Sequence, residues 1–504
     1  MKQLSATLAL LLFAAAARAA LSQPDLIALI HFAGAQKISA DTNAAAFTNE
    51  FCSAEALALR AQTADKLSAW LAGWLQNNLN ATVADGATKL RPLFDDLQKS
   101  EWFLEARGAA GGKPEVAIAI KLDASRAQLW RDNLKPFFAA ATFKSAGGWL
   151  IFDSDPAALK LGDRLAQNIS SLRAGWLEVD VNWLRLAQWY PKLKELGLPE
   201  TQFTVTAPDA NFRINGKFLF PENLALNLEP WRVPTNALHQ PFNSFTAVRG
   251  FASWFQSQPW AQPYQLSPAP NQLFAWALPS FPFQTFAAIP VPDAADAMAQ
   301  VYARLVPVFS AANARDYFVS PVTPEMTNNE IGFTGLPFIA PYLKALREPA
   351  GQFLFLEMFP NTPKSKPLPP ELFSRLATKN LVLYHWEITA ERMPQLLNLS
   401  QFGLMVTSHK QLEAESAAFK WLQRIGATLG NTDTEITQSG PAELTFTRKT
   451  PGVFTAMELF MLANWLEATN FPGCDLKLPP RSPRLKRLHQ QQMHNAMPSP
   501  LPVH

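Results

Sequence analysis

Residues 114–138, PEVAIAIKLDASRAQLWRDNLKPFF, decide how the rest of the chain is read. "PEVAIAIKL" reads as a strand, and Asp123 then caps the helix "ASRAQLWRDNLKPFF", its side chain accepting N–H groups of the first turn. "GGWLIFDSDPAALKLGDRLAQNI" (147–169) repeats the move, with Asp155 expected as the cap and Pro156 at the first helical position. "AGWLEVDVNWLRLAQWYP" (174–191) does so again. "TQFTVTA" and "NFRINGKFLF" follow, two alternating runs across the tight turn "PDAN", as an antiparallel hairpin requires.

The same order returns further on. "NSFTAVRGFASWFQ" (243–256) precedes the strands "NQLFAWAL" and "FQTFAAIPV", and a helix is expected from Asp293 to near Phe309. "KNLVLYHWEITAERMPQLLNL" (379–399) is again a strand running into a helix, capped by Thr389. The recurring unit is strand, helix, two strands. Short turns between neighbouring strands argue against a parallel doubly wound sheet. The expected class is therefore α+β: antiparallel or mixed sheets with helices packed on one face.

Around these units the sequence divides into a signal peptide at 1–19, a mainly helical segment at 20–105, modules at 106–235, 236–350 and 351–475, and a disordered basic tail at 476–504. In the helical segment, Leu67, Trp70, Leu71, Trp74, Leu75 and Leu79 recur at three- and four-residue steps and mark one apolar face. "ARGAAGGKPE" (106–115) is a flexible join.

Leu8 to Ala17 is unbroken apolar sequence after Lys2, far short of the roughly 20 residues a membrane-spanning helix needs. Ala17-Arg18-Ala19 places small residues where a signal peptidase reads them, so an exported, periplasmic or extracellular protein with no membrane anchor is expected. Cys52 and Cys474 are the two cysteines; in an oxidising compartment they form one bridge or stay as two buried thiols, and both readings remain open.

The formal charge of +3 conceals an uneven distribution. Lys2, Arg18, Lys477, Arg481, Arg484, Lys486 and Arg487 lie in the two ends, leaving 37 basic residues against 41 acids between them. A body of that balance is not built to bind nucleic acid. The tail, free of acids, is read as a solvated end with no partner, the alternative being attraction to an anionic surface such as lipid headgroups or acidic polysaccharide.

No phosphate-binding glycine loop, dinucleotide fingerprint, nucleophile elbow or zinc-protease signature occurs, so no cofactor or metal is expected. Asp95-Asp96, Asp153/Asp155 and Glu178/Asp180 are carboxylate pairs with ordinary structural explanations. Trp231, Trp254, Trp260, Tyr264 and Trp276 stand among prolines and form a candidate glycan-stacking row, with core packing as the competing explanation. His385 and Glu387 share one face of the strand "LVLYHWEIT" about 7 Å apart, close enough for Glu387 to orient the ring of a general base, and also how an ordinary exposed sheet face looks. That face is expected to be the exposed one, and His385→Ala is expected to leave any activity or affinity nearly unchanged. The reading that emerges is a non-catalytic binding or scaffolding protein, with a glycan or envelope component as the partner in view. A secreted hydrolase acting on envelope or polysaccharide material is the alternative.

Overall fold

The computed structural model describes residues 25–79, 83–108, 114–156, 159–169, 175–190, 193–194, 197–209, 211–238, 241–257, 266–279, 284–336, 341–358, 370–406 and 415–473. The expected signal peptide, Trp260, Tyr264, Cys474 and the basic tail lie outside them. Every pairing between the described strands below is antiparallel, in an α+β protein. The described residues form two compact units: those up to 224 with 379–381 and 420–473 in the first, and those of 225–378 and 382–419 in the second.

The first unit holds β1 (Leu26–Phe32), β2 (Trp102–Arg107), β3 (Glu115–Lys121), β4 (Thr142–Ala146), β5 (Trp149–Asp153), β6 (Leu177–Val181), β7 (Glu200–Thr206) and β8 (Phe212–Leu219). The C-terminal hairpin, β17 (Asn431–Gly440) and β18 (Glu443–Thr450), also belongs to it. They pair in the order β4-β5-β3-β2-β1-β6-β7-β8-β18-β17. β1 and the start of β2 fall in the segment read as helical. "LIALIHF" lacks a clean alternation because β1 is a central strand with a partner on each side.

Helices Ala54–Leu79, Gly86–Lys99 and Ala124–Leu134 cover one face of β3, burying Leu75, Leu90, Trp130, Ile120 and Leu150 together. Helix Leu161–Asn168 covers the other, setting Leu161 and Leu165 on Phe103, Ala117, Ala119 and Ile151. Helices therefore lie on both faces of β3, where the sequence reading expected one. The start of helix Leu161–Asn168 also departs from expectation. Asp153 accepts from the Gly162 N–H at 2.8 Å and Glu115 from Leu159 and Leu161 at 2.6 and 2.9 Å, so two strand-end carboxylates take the capping role read for Asp155.

The second unit holds β9 (Ser244–Arg249), β10 (Gln272–Ala277), β11 (Thr285–Val291), β12 (Thr323–Thr327), β13 (Glu330–Thr334), β14 (Tyr342–Glu348), β15 (Gly351–Glu357) and, from Val382 on, β16 (Leu381–Ile388). Their order is β16-β9-β10-β11-β15-β14-β13-β12. Helix Ala294–Ala314 runs past Pro307 and packs Ala297 and Met298 on Val291, Ile331 and Leu354. Side chains alternate along strands, so Phe286, Trp276 and Phe355 fill the opposite face. Of the strands at the ladder ends, β4 and β12 are short and carry Lys144 and Pro324, devices that discourage further strand addition.

One part of the first ladder recurs in the second: β4-β5-β3-β2-β1-β6 matches β14-β15-β11-β10-β9-β16 step for step. β10 and β11 each begin 170 residues after β2 and β3 (Trp102 to Gln272, Glu115 to Thr285), and the registers agree, Ala106 facing Val116 as Trp276 faces Phe286. Asp123 and Asp293, at the same offset, cap the helices that follow. Gly34 and Gly250 turn the chain out of β1 and β9 with φ of 84° and 82°.

Candidate functional site

Three corners of the first unit meet at a cleft of about 520 Å³. The end of β1 and the short helix Ala35–Ser39 supply Ala33, Gln36 and Lys37; the end of helix Gly86–Lys99 and the step into β2 supply Asp96, Lys99, Ser100 and Glu101; the end of β3 and the start of helix Ala124–Leu134 supply Lys121, Leu122, Asp123 and Arg126. Gly34 permits the first two to touch. A Cβ there would lie 2.5 Å from the carbonyl carbon of Ser100 and 2.6 Å from the Glu101 nitrogen.

Each carboxylate in the cleft is already satisfied. Arg126 grips Asp96 through Nε and Nη2 at 2.8–3.1 Å, and Trp130 Nε1 donates to the same group at 2.9 Å. Asp123 accepts from the Arg126 N–H and the Ser125 hydroxyl, which hold its carboxyl below the ordinary value. Lys37 donates to Glu101 at 2.9 Å, and His31 Nε2 lies 3.3 Å from the same oxygen. Burial works to raise the Glu101 carboxyl, but these two neighbours outweigh it and keep it below its usual value. His31 itself is buried and stacked on Phe103 at 4.4 Å.

The lining carries four cations against three carboxylates. Once the internal pairs are counted, the side chains of Lys99 and Lys121 make no ion pair or hydrogen bond among the described residues, and both are exposed. The second unit builds the equivalent corner without them. At the 170-residue offset, Ala269, Asn271, Val291 and Asp296 stand where the first unit has Lys99, Glu101, Lys121 and Arg126. The fold does not require these cations.

His385 and Glu387, on β16, come closer than expected: Nε2 to Oε2 is 3.4 Å. Glu387 is buried, so the face read as exposed is covered there. Thr246 on β9, directly opposite, meets His385 Nδ1 through its hydroxyl at 2.8 Å, and Thr389 donates to Glu387 at 2.8 Å. Burial lowers the Arg392 guanidinium, and Glu387 is its countercharge. This hydroxyl–imidazole–carboxylate chain lies along the β16–β9 pairing, where His385 faces Thr246. It fastens β16 to β9.

A second polar cluster spans β6 and β7. Gln202 Nε2 donates to Asp180 at 3.2 Å and to Glu200 at 3.1 Å, and Asn182 donates to Glu200 at 2.9 Å. Burial, and then the charge of Glu200, push the Asp180 carboxyl up to about 6. Glu178, its neighbour on the same face, lies one pair along, opposite Thr204.

Of the aromatic row, Trp276 is 2% exposed and stacked on Phe286 at 5.2 Å, so it belongs to the core and offers no ring face to a sugar. Trp231 is half-buried, edge-on to Phe274 and covered by the Arg249 guanidinium at 4.5 Å. Trp254 is half-buried in helix Ala252–Ser257. Cys52 has no disulfide partner among the described residues and lies 3.8 Å from the Ser39 hydroxyl; Cys474, the other end of the possible bridge, is outside them.

Among the described residues, no group of three or more His, Cys, Asp or Glu side chains is arranged to hold a metal, and no helix is long and apolar enough to cross a membrane. The fold and cleft define an antiparallel α+β protein with one charged corner. No family model, curated protein or solved structure matches the chain.

Proposed function

We propose that this is an exported, non-catalytic binding protein of the periplasm or cell exterior that takes a small ligand in the cleft between Lys37, Glu101 and Lys121. The observation that carries the reading is the contrast between two equivalent corners, one charged and open, the other apolar at Val291 and acidic at Asp296. Charges that a fold can do without are retained where a ligand needs them. The apolar run Leu8–Ala17 and the Ala17-Arg18-Ala19 site support export. The repeated strand–helix–strand–strand units supply the frame on which such corners sit.

The test is a thermal-shift screen of the mature chain against small metabolites, repeated on Gln36→Trp, which places a bulky ring across the cleft from an exposed position. Ligands that stabilise the native chain and lose their effect in Gln36→Trp are the expected result. Stabilisation indifferent to the substitution would remove the cleft from the reading.

A hydrolase acting on polysaccharide is favoured by one observation, Asp180 raised by burial and by the neighbouring Glu200, since a carboxyl held protonated is what glycoside cleavage uses as its acid. Both acids are committed to Gln202 or Asn182, and Glu200 is buried. Turnover of aryl glycosides that Asp180→Asn abolishes would install this reading in place of the first.

A further inference from the structure

We infer that the ligand of the cleft is a small hydroxylated molecule bearing one compact oxyanion, a sugar acid or a sugar phosphate. This rests on the binding reading above and adds the chemistry of the occupant. Lys99 and Lys121 approach from different corners and, alone among the cleft's charges, have no internal countercharge. Arg126 spends Nε and Nη2 on Asp96 and Pro92, while Nη1 donates no hydrogen bond among the described residues. Three cationic donors thus remain for one anionic group, which lysines receive as point charges and arginine through a planar fork.

The remaining lining selects the body of the ligand. Gln36 and Ser100 offer an amide and a hydroxyl, Glu101 and Asp123 offer acceptors, and Ala33 and Leu122 are the apolar members. That mixed lining can meet both the hydroxyl groups and the carbon face of a sugar ring. With four cations against three carboxylates the cleft has one surplus positive charge, which matches a single anionic group and leaves nothing to hold the further charges of a macromolecular polyanion. The cleft at about 520 Å³ is also of the size that small-molecule sites have.

The experiment is titration calorimetry on the mature chain at low ionic strength with glucuronate, glucose 6-phosphate, glucose and inorganic phosphate. The variants are Lys99→Ala/Lys121→Ala and Gln36→Trp. Glucuronate or glucose 6-phosphate should bind, with glucose at least tenfold weaker. The lysine pair should lose at least tenfold, and added salt should weaken binding further. Which charged probe prevails identifies the oxyanion as carboxylate or phosphate. Binding of inorganic phosphate alone, glucose equal to the charged probes, or an unaffected lysine double variant each overturns the inference. If a probe, glucose included, is lost in Gln36→Trp yet unmoved by the lysine change, the cleft remains a site and the anion is wrong. If no probe responds to Gln36→Trp, the cleft itself is not the site.

Discussion

The Glu50 carboxylate lies against Gly452, so close that a Cβ on that glycine would come within 2.7 Å of Oε1. Glu50 is 1% exposed, and neither oxygen makes a hydrogen bond of good geometry among the described residues. Burial pushes the carboxyl up to about 8, with only weak relief from the Val453 backbone. An acid whose pKa is raised by folding favours the native state while protonated. Its contribution is complete below the unfolded value of 4.5 and declines as pH rises toward 8. Glu50→Gln should therefore match the parent near pH 4 and exceed it by a few kcal/mol near pH 8, on the scale of about 1.4 kcal/mol per unit. Asp180→Asn should show the same sign over a lower window, between 3.8 and about 6. Urea denaturation across pH measures both; a Glu50→Gln gain that does not grow with pH would refute the assignment.

Arg448 and Glu458 form a buried two-pronged ion pair at 2.7 and 2.8 Å, joining β18 to helix Ala456–Glu467. Glu458 also completes the capping box with Thr455. Removing one partner strands the other charge, so Glu458→Leu should cost about 3–5 kcal/mol. Arg448→Met with Glu458→Leu should recover much of that loss. A double variant no more stable than the single one would show that the pair itself, and not the orphaned charge, sets the cost.

Gly34→Ala should cost more than Gly147→Ala, although both glycines have positive φ. Gly147 has open space around it, so only the backbone preference is lost, about 1 kcal/mol. At Gly34 the added methyl meets backbone atoms of Ser100 and Glu101, which cannot swing aside. Melting curves of the two variants should differ by several degrees. Equal shifts would mean that the corner yields easily and that the cleft is less rigid than its geometry implies.

His385→Ala should weaken the fold by about 1–2 kcal/mol, because the Thr246 hydroxyl and the buried Glu387 lose their partner. Ligand affinity in the first unit's cleft should not change. A hundredfold loss of any activity or binding, with the circular dichroism spectrum intact, would make β16 a functional strand.

What sequence discloses here is mainly local. The strand before Asp123, its cap, and the hairpin around residues 207–211 are each written in adjacent residues, because period and capping chemistry act over a single turn. The late start at Leu161 was hidden because its caps, Glu115 and Asp153, lie on other elements. The cleft was hidden for the same reason: Lys37, Glu101 and Lys121 have no spacing in common, and only sheet order brings them together. Thr246 could not be paired with His385, 139 residues away, without the β9–β16 register.

The pairing of β8 with β18 sets residue 212 opposite residue 450, so the first sheet is completed by the last strand among the described residues. Long-separation pairings of this kind are entropically late and kinetically slow. Until that hairpin emerges, β8 has a bare edge and the first sheet is unfinished. The two units therefore cannot be completed in strict succession, because the first waits for strands made after the second unit's own.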